Sequence, residues 1–517
     1  MEEKMGTNEK QKSGFIYIIL WIAAAVTAFK FSHVTDIDTF FHLSVGRDII
    51  ENGFTTMDPF SMHRLEFTSQ QWLSDVIFFL IYKFSDFAGL YVFQIVFSAV
   101  LIFTVYKINC LVSGNRRYLS LFLAIGSTWL FQYNFIRIRP QIFTILLFAF
   151  EIYILELYLR KRNTKILLFL PVLCLLLANF HIGAFPMFFV LMLPYLADAL
   201  IKADFFRIRA GYFKENGSKL FKILLLFFAA LIPLCIANPY GIKKIFYFTS
   251  MFNSEITKNI VEWKSPGFST ELGVIISLTL IICTLIVIFQ FVLTKKQFTL
   301  KSFLMFIGLT IMTLYAIRFF TYYMVFIGLI LLERVEPPSS GKNKGLKAKS
   351  TVQGSVFGEK VARVLESKPA AGVLALLIIA GITLKSVLGM WQTTLLEFYP
   401  VKAAEYIKNN LDYKNVRLFN DYDDGGFLMF NGIKVFIDSR ADLYSDQFNP
   451  GCTVLQDYDE IMRNPGNYET VFKKYDFKYI LVNPSLNYDL YSYLRKDVNY
   501  RIVVDDEFYI LYERSKN

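Results

Sequence analysis

The sequence predicts a polytopic α-helical membrane protein that ends in a small α/β domain outside the membrane. Three observations support this fold class. Hydrophobic side chains make up 55% of the 517 residues and charged ones only 19%, which is not the composition of an ordinary soluble protein. The apolar residues are gathered into runs of nearly bilayer-spanning length. In the last part of the chain, short apolar segments alternate with turn residues, as in a small sheet.

Eleven apolar runs are long enough, or nearly so, to cross a bilayer, which requires about 20 residues. The segment 72–84 is ambiguous, because it has only 13 residues and contains Asp75. The eleven runs cover approximately residues 14–32, 87–106, 118–134, 141–159, 165–179, 183–201, 220–237, 271–294, 302–317, 319–332 and 370–391.

The distribution of positive charge indicates how segment 72–84 lies. If it crossed the membrane, the basic clusters at 160–165 and 202–222 would lie on the side opposite the amino-terminal lysines, against the positive-inside rule. If it is an amphipathic helix along the interface, every basic cluster is cytoplasmic. We therefore expect a cytoplasmic amino terminus, eleven spans and an external carboxyl terminus.

This topology divides the chain into four segments. Residues 1–332 form a transmembrane domain with a long first external loop at 33–86. Residues 333–369 form a basic cytoplasmic linker, residues 370–391 the last span, and residues 392–517 the external α/β domain. In that domain VKAAEYIKNNL predicts a helix, and VRLFND, GFLMF, IKVFID, KYILVN and EFYILYE predict strands.

Several common functions are excluded by what the sequence lacks. The net charge of +11 does not indicate nucleic-acid binding, because the basic residues lie in short clusters between apolar runs, as expected for loops beside anionic membrane lipid. The five cysteines form no disulfide or zinc pattern. The motifs GxxxxGK[ST], GxSxG and CxxC are absent, so nucleotide-triphosphate, serine-hydrolase and thiol chemistries have no support.

Two aspartates follow the first apolar run directly, in the sequence VTDIDTFFHLSVGRDI. Charge is normally avoided at such a membrane surface, so Asp36 and Asp38 are candidate catalytic residues. Asp38 and His42 are four residues apart and would share one face of a helix, which makes His42 a third candidate. A carboxylate beside an imidazole can accept a proton from a hydroxyl or bind a divalent metal, and both alternatives stay open. An N-cap is the structural alternative, but capping needs only one aspartate.

Three arginines stand at external span ends, where the positive-inside bias disfavours them. Arg137 and Arg139 lie in NFIRIRPQ, and Arg318 is isolated in YAIRFF. Their bidentate guanidinium groups predict a clamp for a phosphate or pyrophosphate. Snorkelling of the side chains towards the interface is the alternative.

Further substrate-binding candidates lie at neighbouring external junctions. Asn179 and His181 follow a span in LLANFHIGAF, where a helix C-cap is the alternative. Glu262 and Trp263 lie in IVEWKSPGF. Glu262 can serve as a second acid or base, and Trp263 can stack on a sugar ring or simply anchor the chain in the aromatic belt.

Two polar segments of the tail follow predicted strands, namely NDYDDGG at 420–426 and DSRADLY at 438–444. The carboxyl ends of strands are where ligands bind in open α/β sheets, which predicts a ligand role for these loops. Loops at strand ends are also commonly polar without binding anything.

Taken together, these motifs resemble the GT-C superfamily of membrane glycosyltransferases, and more closely a group of bacterial glycosyltransferase-like membrane proteins. The resemblance covers most of the chain apart from the linker. The segments that carry it are DTFFHLSVGRDIIENG, DPFS, QQWLSDVIF, IRPQIF, ANFHIG, NPYG, EWKSP, RFF, FNDYDDGGFL and IDSRADLY.

The resemblance implies an enzyme of the bacterial cytoplasmic membrane. Its donor would be a sugar linked to a polyprenyl phosphate or pyrophosphate, and its acceptor a cell-envelope glycan, lipid or protein. Asp38 would be the catalytic carboxylate, assisted by Asp36, and the external arginines would hold the leaving phosphate. Transfer would invert the anomeric centre. The resemblance fixes no cofactor, so a divalent metal stays open.

Two other functions stay open from the sequence. One is a non-enzymatic component that binds or translocates a glycan or lipid. Charged residues inside spans would favour it, and only Glu151 and Glu156 stand out within one span. The other is an O-antigen polymerase or ligase type of enzyme, which uses external arginines and a histidine without an acidic motif after the first span.

Overall fold

The computed structural model describes residues 36–135, 137–161, 163–201, 205–211, 261–335 and 399–515, together with positions 15–16, 18–20, 22–24, 219–220, 222 and 238–240. All the described positions of the first apolar run are helical. The predicted last span at 370–391, nearly all of the run 220–237 and nearly all of the linker lie outside the described residues.

The first part of the described chain is a bundle of apolar helices. Four stretches are long and apolar enough to cross a membrane: Trp72–Val112, Gln141–Lys161, Ile182–Leu200 and Glu271–Val292. Three shorter apolar stretches accompany them, so the described residues support a helical membrane protein but do not confirm eleven spans. The helices are α1 (Ile37–Asn52), α2 (Trp72–Val112), α3 (Arg117–Phe135), α4 (Gln141–Lys161), α5 (Phe169–Phe180), α6 (Phe185–Leu200), α7 (Glu271–Val292), α8 (Leu300–Tyr315) and α9 (Phe320–Leu331).

Helix α2 contains the ambiguous segment 72–84 and is broken immediately after it. Asp86 has φ 52° and ψ −159°, a backbone conformation that no α-helix contains. Its carboxylate accepts a hydrogen bond from the backbone N–H of Phe87, which begins the second half of the helix. The chain therefore changes direction between segment 72–84 and the predicted span 87–106.

The bundle packs tightly where α1 meets α2. A side chain at Gly46 would place its Cβ 2.1 Å from the backbone oxygen of Asp75, so only glycine allows the two helices to approach this closely. Helix α7 is different, because most of its large apolar side chains are exposed. Examples are Leu278, Ile282 and Leu285. An exposed apolar surface of this kind suits contact with lipid.

Charges inside the bundle are paired near the end of α4 that lies farthest from Arg139. Glu156 accepts a hydrogen bond from Lys301 Nζ at 2.8 Å, and the same ammonium group contacts Glu333 at 2.9 Å. All three side chains are buried. This network joins α4 and α8 to the residues that follow α9, and we assign it a structural role.

Two short strands of the bundle, β1 (Ile208–Arg209) and β2 (Phe298–Thr299), form a parallel pair. The tail contains a separate sheet of four strands, β3 (Leu418–Phe419), β4 (Tyr479–Val482), β5 (Tyr500–Asp505) and β6 (Ile510–Arg514). Their order in the sheet is β3-β4-β6-β5; β3 pairs in parallel with β4, and the other two pairings are antiparallel. The tail helices are α10 (Val401–Asn410), α11 (Gly425–Phe430), α12 (Val454–Arg463), α13 (Tyr468–Tyr475) and α14 (Tyr488–Leu494).

The helix predicted at VKAAEYIKNNL and the strands predicted in VRLFND, KYILVN and EFYILYE are confirmed. The strand predicted at GFLMF is wrong, because Gly425–Phe430 is the helix α11. The strand predicted at IKVFID is also wrong, since Val435 forms only an isolated bridge with Ser61 of the first loop. The backbone of this segment therefore pairs with the first loop and not with the tail sheet.

A buried arginine of the tail binds a carboxylate of the first loop. Arg440 Nη1 lies 2.8 Å from Asp58 Oδ1, and its other nitrogens donate to Asp438 at 2.8 and 2.7 Å. The guanidinium group also lies over the rings of Phe60 and Phe67. The segment DSRADLY, predicted as a ligand loop, therefore forms the buried contact between the tail and the first loop.

Candidate active site

The two aspartates of the opening motif lie at the start of α1. Asp36 has an extended backbone and directly precedes the first helical residue, and its N–H donates to Thr39 Oγ1 at 3.2 Å. Asp38 lies in the first turn. The helix ends at Gly53, whose φ of 81° is accessible to glycine. The start of α1 thus fixes both carboxylates at one edge of the bundle.

Arg139 binds three carboxylates at the junction between α3 and α4. Its Nε donates to Asp36, and its Nη1 lies 3.1 Å from Asp38 Oδ2 and 3.4 Å from Glu262 Oε1. Arg137 adds a second hydrogen bond to Asp36 at 3.1 Å. One guanidinium group therefore brings together residues that lie far apart in the sequence.

The ion pairs set the charge state of Asp36. Burial alone would raise the pKa of its carboxyl, but the charges and hydrogen bonds of Arg139 and Arg137 outweigh burial and hold that pKa below its ordinary value. Burial would likewise lower the pKa of Arg139, and the carboxylates of Asp38 and Asp36 raise it instead. Asp36 and Arg139 therefore form an ion pair at neutral pH, with the charge of Arg139 already balanced by carboxylates.

The other two arginines, Arg137 and Arg318, are bound to fewer carboxylates than Arg139 is. The Arg137 side chain is 45% exposed, compared with 16% for Arg139, so its remaining N–H groups are open to a ligand. The Arg318 guanidinium carbon lies 4.2 Å from the centre of the Trp263 ring, a cation–π contact. The backbone N–H of Ile317 donates to Lys264 at 3.0 Å and holds the two segments together. Trp263 follows Glu262 directly, so Arg318 belongs to the same region.

His181 and Asn179 lie at the end of α5. His181 Nδ1 shares a hydrogen bond of 2.8 Å with Thr144 Oγ1, and Asn179 Oδ1 accepts one of 2.9 Å from Trp72 Nε1. Burial, and then the nearby charge of Arg318, lower the pKa of His181 to about 3. The imidazole is therefore neutral at physiological pH and lies within the electrostatic reach of Arg318.

His42 has a different partner from the one that its sequence spacing suggests. Its Nδ1 lies 2.6 Å from Asp75 Oδ1, and Ser69 Oγ donates to the other oxygen of Asp75 at 2.6 Å. Both His42 and Asp75 are buried. His42 therefore joins α1 to α2 through Asp75. The predicted pairing of His42 with Asp38 is wrong.

The carboxylates of the site are arranged around an arginine in this structure. Within the described ranges, no group of three or more His, Cys, Asp or Glu side chains is arranged to hold a metal ion. Asp36, Asp38 and Glu262 converge on the guanidinium group of Arg139, which supplies the positive charge between them. His42 Nδ1 is bound to Asp75, so the pairing of His42 with Asp38 considered for a metal is not formed through that nitrogen.

Sequence reasoning missed the residues that hold the site together, namely Asp75, Trp72 and Thr144. Asp75 was noticeable as a charge inside the apolar segment 72–84, and its burial beside His42 explains its presence. Trp72 and Thr144 carry no signal in the sequence, because each contacts a residue from a distant part of the chain.

The fold is similar to that of an archaeal oligosaccharyltransferase, in line with the resemblance of the sequence motifs to GT-C membrane glycosyltransferases. Two solved structures that share it are of an oligosaccharyltransferase from the archaeon Archaeoglobus fulgidus. The apo form matches with a TM-score of 0.55 and 12% identity, over 91% of this chain and 70% of that one. The same archaeon's AglB, in complex with an inhibitory peptide and a dolichol-phosphate, matches with a TM-score of 0.53 and 12% identity, over 98% and 75%. At this identity the likeness concerns the fold. No family model matches the sequence, and no curated protein matches it.

Proposed function

We propose that the protein is a glycosyltransferase that moves a sugar from a polyprenyl-phosphate-linked donor to an acceptor on the extracytoplasmic side of the membrane. The observation that carries this proposal is the convergence of Asp36, Asp38 and Glu262 on Arg139 at one edge of a GT-C fold. Arg137 and Arg318 lie beside this cluster, and their guanidinium groups have N–H groups that can bind a ligand. Carboxylates next to uncommitted guanidinium groups suit a reaction that joins a hydroxyl to a phosphorylated sugar.

In the proposed reaction, the acceptor hydroxyl oxygen attacks the anomeric carbon of the donor sugar and forms the new glycosidic bond. The bond between that carbon and the phosphate oxygen breaks, and its electron pair stays on the leaving polyprenyl phosphate. Inversion at the anomeric carbon follows from a single displacement. The hydroxyl proton passes to a carboxylate of the site, so that atoms and charge balance.

The described contacts suggest a role for each side chain. Arg137 and Arg318 hold the leaving phosphate, because their charges are less fully balanced by carboxylates than that of Arg139. Asp38 contacts the acceptor hydroxyl, since its side chain is 19% exposed and that of Asp36 only 7%. Asp36 acts through Arg139, which it orients. Trp263 offers an aromatic face for a sugar ring, and neutral His181 can hydrogen-bond a donor oxygen.

The setting of this reaction follows from the proposed topology. We place the protein in the bacterial cytoplasmic membrane, with the first loop 33–86 and the tail 392–517 on the outer side. The dolichol-phosphate in the complex of the archaeal structure supports a polyprenyl phosphate as the class of lipid carrier. A cell-envelope glycan, lipid or protein would be the acceptor.

The test is transfer by the purified protein in lipid nanodiscs, supplied with polyprenyl-phosphate-linked sugars. We expect Asp38→Asn to abolish release of polyprenyl phosphate while the protein still folds. Asp48→Asn is the matched control, because Asp48 lies on the same helix and, among the described residues, its carboxylate accepts a hydrogen bond only from Asn52. Full activity of Asp38→Asn would refute the role of Asp38, and an inactive wild type with every donor would refute the reaction class.

The alternatives predict other patterns. An O-antigen polymerase or ligase type of enzyme would keep its activity in Asp38→Asn and lose it on substitution of Arg139 or His181. A non-enzymatic binding component would bind the donor without releasing polyprenyl phosphate. Glu156, one of the two acidic residues within a span, is already paired in the buried network with Lys301.

A further inference from the structure

The loop NDYDDGG of the tail contains one polar side chain that no structural role explains. Asn420, Asp421, Tyr422 and Asp424 each form side-chain hydrogen bonds within the tail. Asp423 has no hydrogen bond or ion pair with any residue that the structure describes, and its side chain is exposed. The partners of the other four are Ile437 and Phe436 for Asn420, Tyr458 and Asn487 for Asp421, Ser439 for Tyr422, and Tyr509 for Asp424.

Two glycines place this loop against the opening motif. A Cβ at Gly426 would lie 2.6 Å from the backbone oxygen of Ile37, the residue between Asp36 and Asp38. A Cβ at Gly425 would lie 2.3 Å from the backbone oxygen of Ile437 on the other side. The loop is therefore held between the tail and the start of α1, with Asp423 three residues before the contact.

The charges around Asp423 agree with this position. Although the Asp423 side chain is exposed, desolvation by the surrounding atoms, followed by the negative charges of Asp421, Asp38 and Asp36, raises its pKa to about 6. Among the described residues no cation pairs with Asp423, in contrast to Asp36, whose pKa the arginines lower. Asp423 thus lies close enough to the two aspartates for their charges to act on it, at the loop that Gly426 places against Ile37.

We propose that Asp423 is a catalytic residue supplied by the tail, and that it accepts the proton of the acceptor hydroxyl as that oxygen attacks the anomeric carbon. The inference rests on the proposed function. Asp38 orients the hydroxyl, Asp423 Oδ takes the proton, and the leaving phosphate retains the electron pair of the broken bond. The tail would then complete the active site instead of only covering it.

The ion pairs of the site favour Asp423 over the other two aspartates as the base. Asp36 and Asp38 both form ion pairs with Arg139, whereas Asp423 has no ion pair with any described residue. For Asp36, the arginine partners stabilise the charged carboxylate and hold its pKa below the ordinary value. A general base is most effective when its pKa lies near the working pH. Asp423, with a pKa of about 6, meets that condition better than Asp36 does.

The test compares Asp423→Asn, Asp423→Glu and wild type in nanodiscs, with kcat and donor KM measured across about pH 5 to 8, the range that spans a base of this kind. We expect Asp423→Asn to lower kcat by about 10²- to 10⁴-fold, the usual contribution of a general base, with donor KM unchanged. Wild-type kcat should fall as the pH drops below about 6, because Asp423 becomes protonated. Asp423→Glu should recover part of the rate. Glu469→Gln serves as the control, because it removes an exposed carboxylate of the tail whose one ion pair among the described residues is with Lys473.

Azide separates a base from a merely structural residue, because this nucleophile has no proton to lose. Added azide should restore donor cleavage by Asp423→Asn and give the glycosyl azide. Wild-type kcat in Asp423→Asn, or a loss that azide does not restore, would overturn the role of Asp423 while leaving the proposed function intact. A wild type that cleaves no lipid-linked donor would overturn both.

Discussion

Replacing Gly426 with alanine should misplace the tail loop relative to the two aspartates. The added Cβ would lie 2.6 Å from the backbone oxygen of Ile37. An ordinary C–H···O contact is about 3.3–3.6 Å, so the two segments must separate by about 0.7–1.0 Å. The obstructing atom belongs to the backbone at the start of α1 and cannot rotate away. The separation therefore acts directly on the distance between Asp423 and Asp38.

A misplacement of about 1 Å in an active site can lower the rate by about 10²-fold, whereas overpacking of this kind typically lowers stability by about 1–3 kcal/mol. We expect Gly426→Ala to fold and to show a kcat about 10²-fold lower in the nanodisc transfer assay. Gly466→Ala is the control, because its Cβ would meet the Tyr493 side chain at an ordinary 3.4 Å. Equal kcat values for wild type and Gly426→Ala would refute the contribution of the tail to the site.

Two further substitutions test other contacts. Arg440→Met leaves Asp58 and Asp438 buried without a cation, so the tail should be destabilised by about 3–5 kcal/mol and become sensitive to limited proteolysis. Arg463→Met, which breaks an exposed ion pair, should not change the sensitivity to proteolysis. Equal resistance of the two variants would contradict the role of Arg440 in holding the tail to the first loop. Trp263→Ala removes the cation–π contact of Arg318, worth about 0.5–2 kcal/mol, so donor KM should rise roughly 2- to 30-fold with little change in kcat. An unchanged KM would show that this contact does not position a donor-binding arginine.

The sequence drew attention to the residues of the candidate site because they occupy positions that membrane physics disfavours. In the predicted topology, Asp36, Asp38, Arg137 and Arg139 are charged residues at external ends of spans, where charge is disfavoured. Their partners could not be predicted, since Arg137 and Asp36 are 101 residues apart in the chain. The same limit explains His42, whose spacing suggests Asp38 but whose partner is Asp75.

The tail shows where pattern reasoning fails for a physical reason. GFLMF is too short for its apolar residues to distinguish a strand from a buried helix. Gly425, directly before it, and Gly426, its first residue, decide the outcome, because they allow α11 to pack against Ile437 on one side and Ile37 on the other. DSRADLY looked like a ligand loop because it is polar. Its arginine instead pairs with Asp58 of the first loop, a contact that spans most of the chain.

The most direct test of the central claim is the amount of polyprenyl phosphate released per glycoside formed, measured in parallel for wild type, Asp38→Asn and Asp48→Asn with one lipid-linked donor. Transfer by displacement at the anomeric carbon predicts one polyprenyl phosphate for each glycoside in wild type and Asp48→Asn, with neither product from Asp38→Asn. Equal formation of both products by Asp38→Asn would contradict the claim that the carboxylates at the start of α1 carry out the transfer.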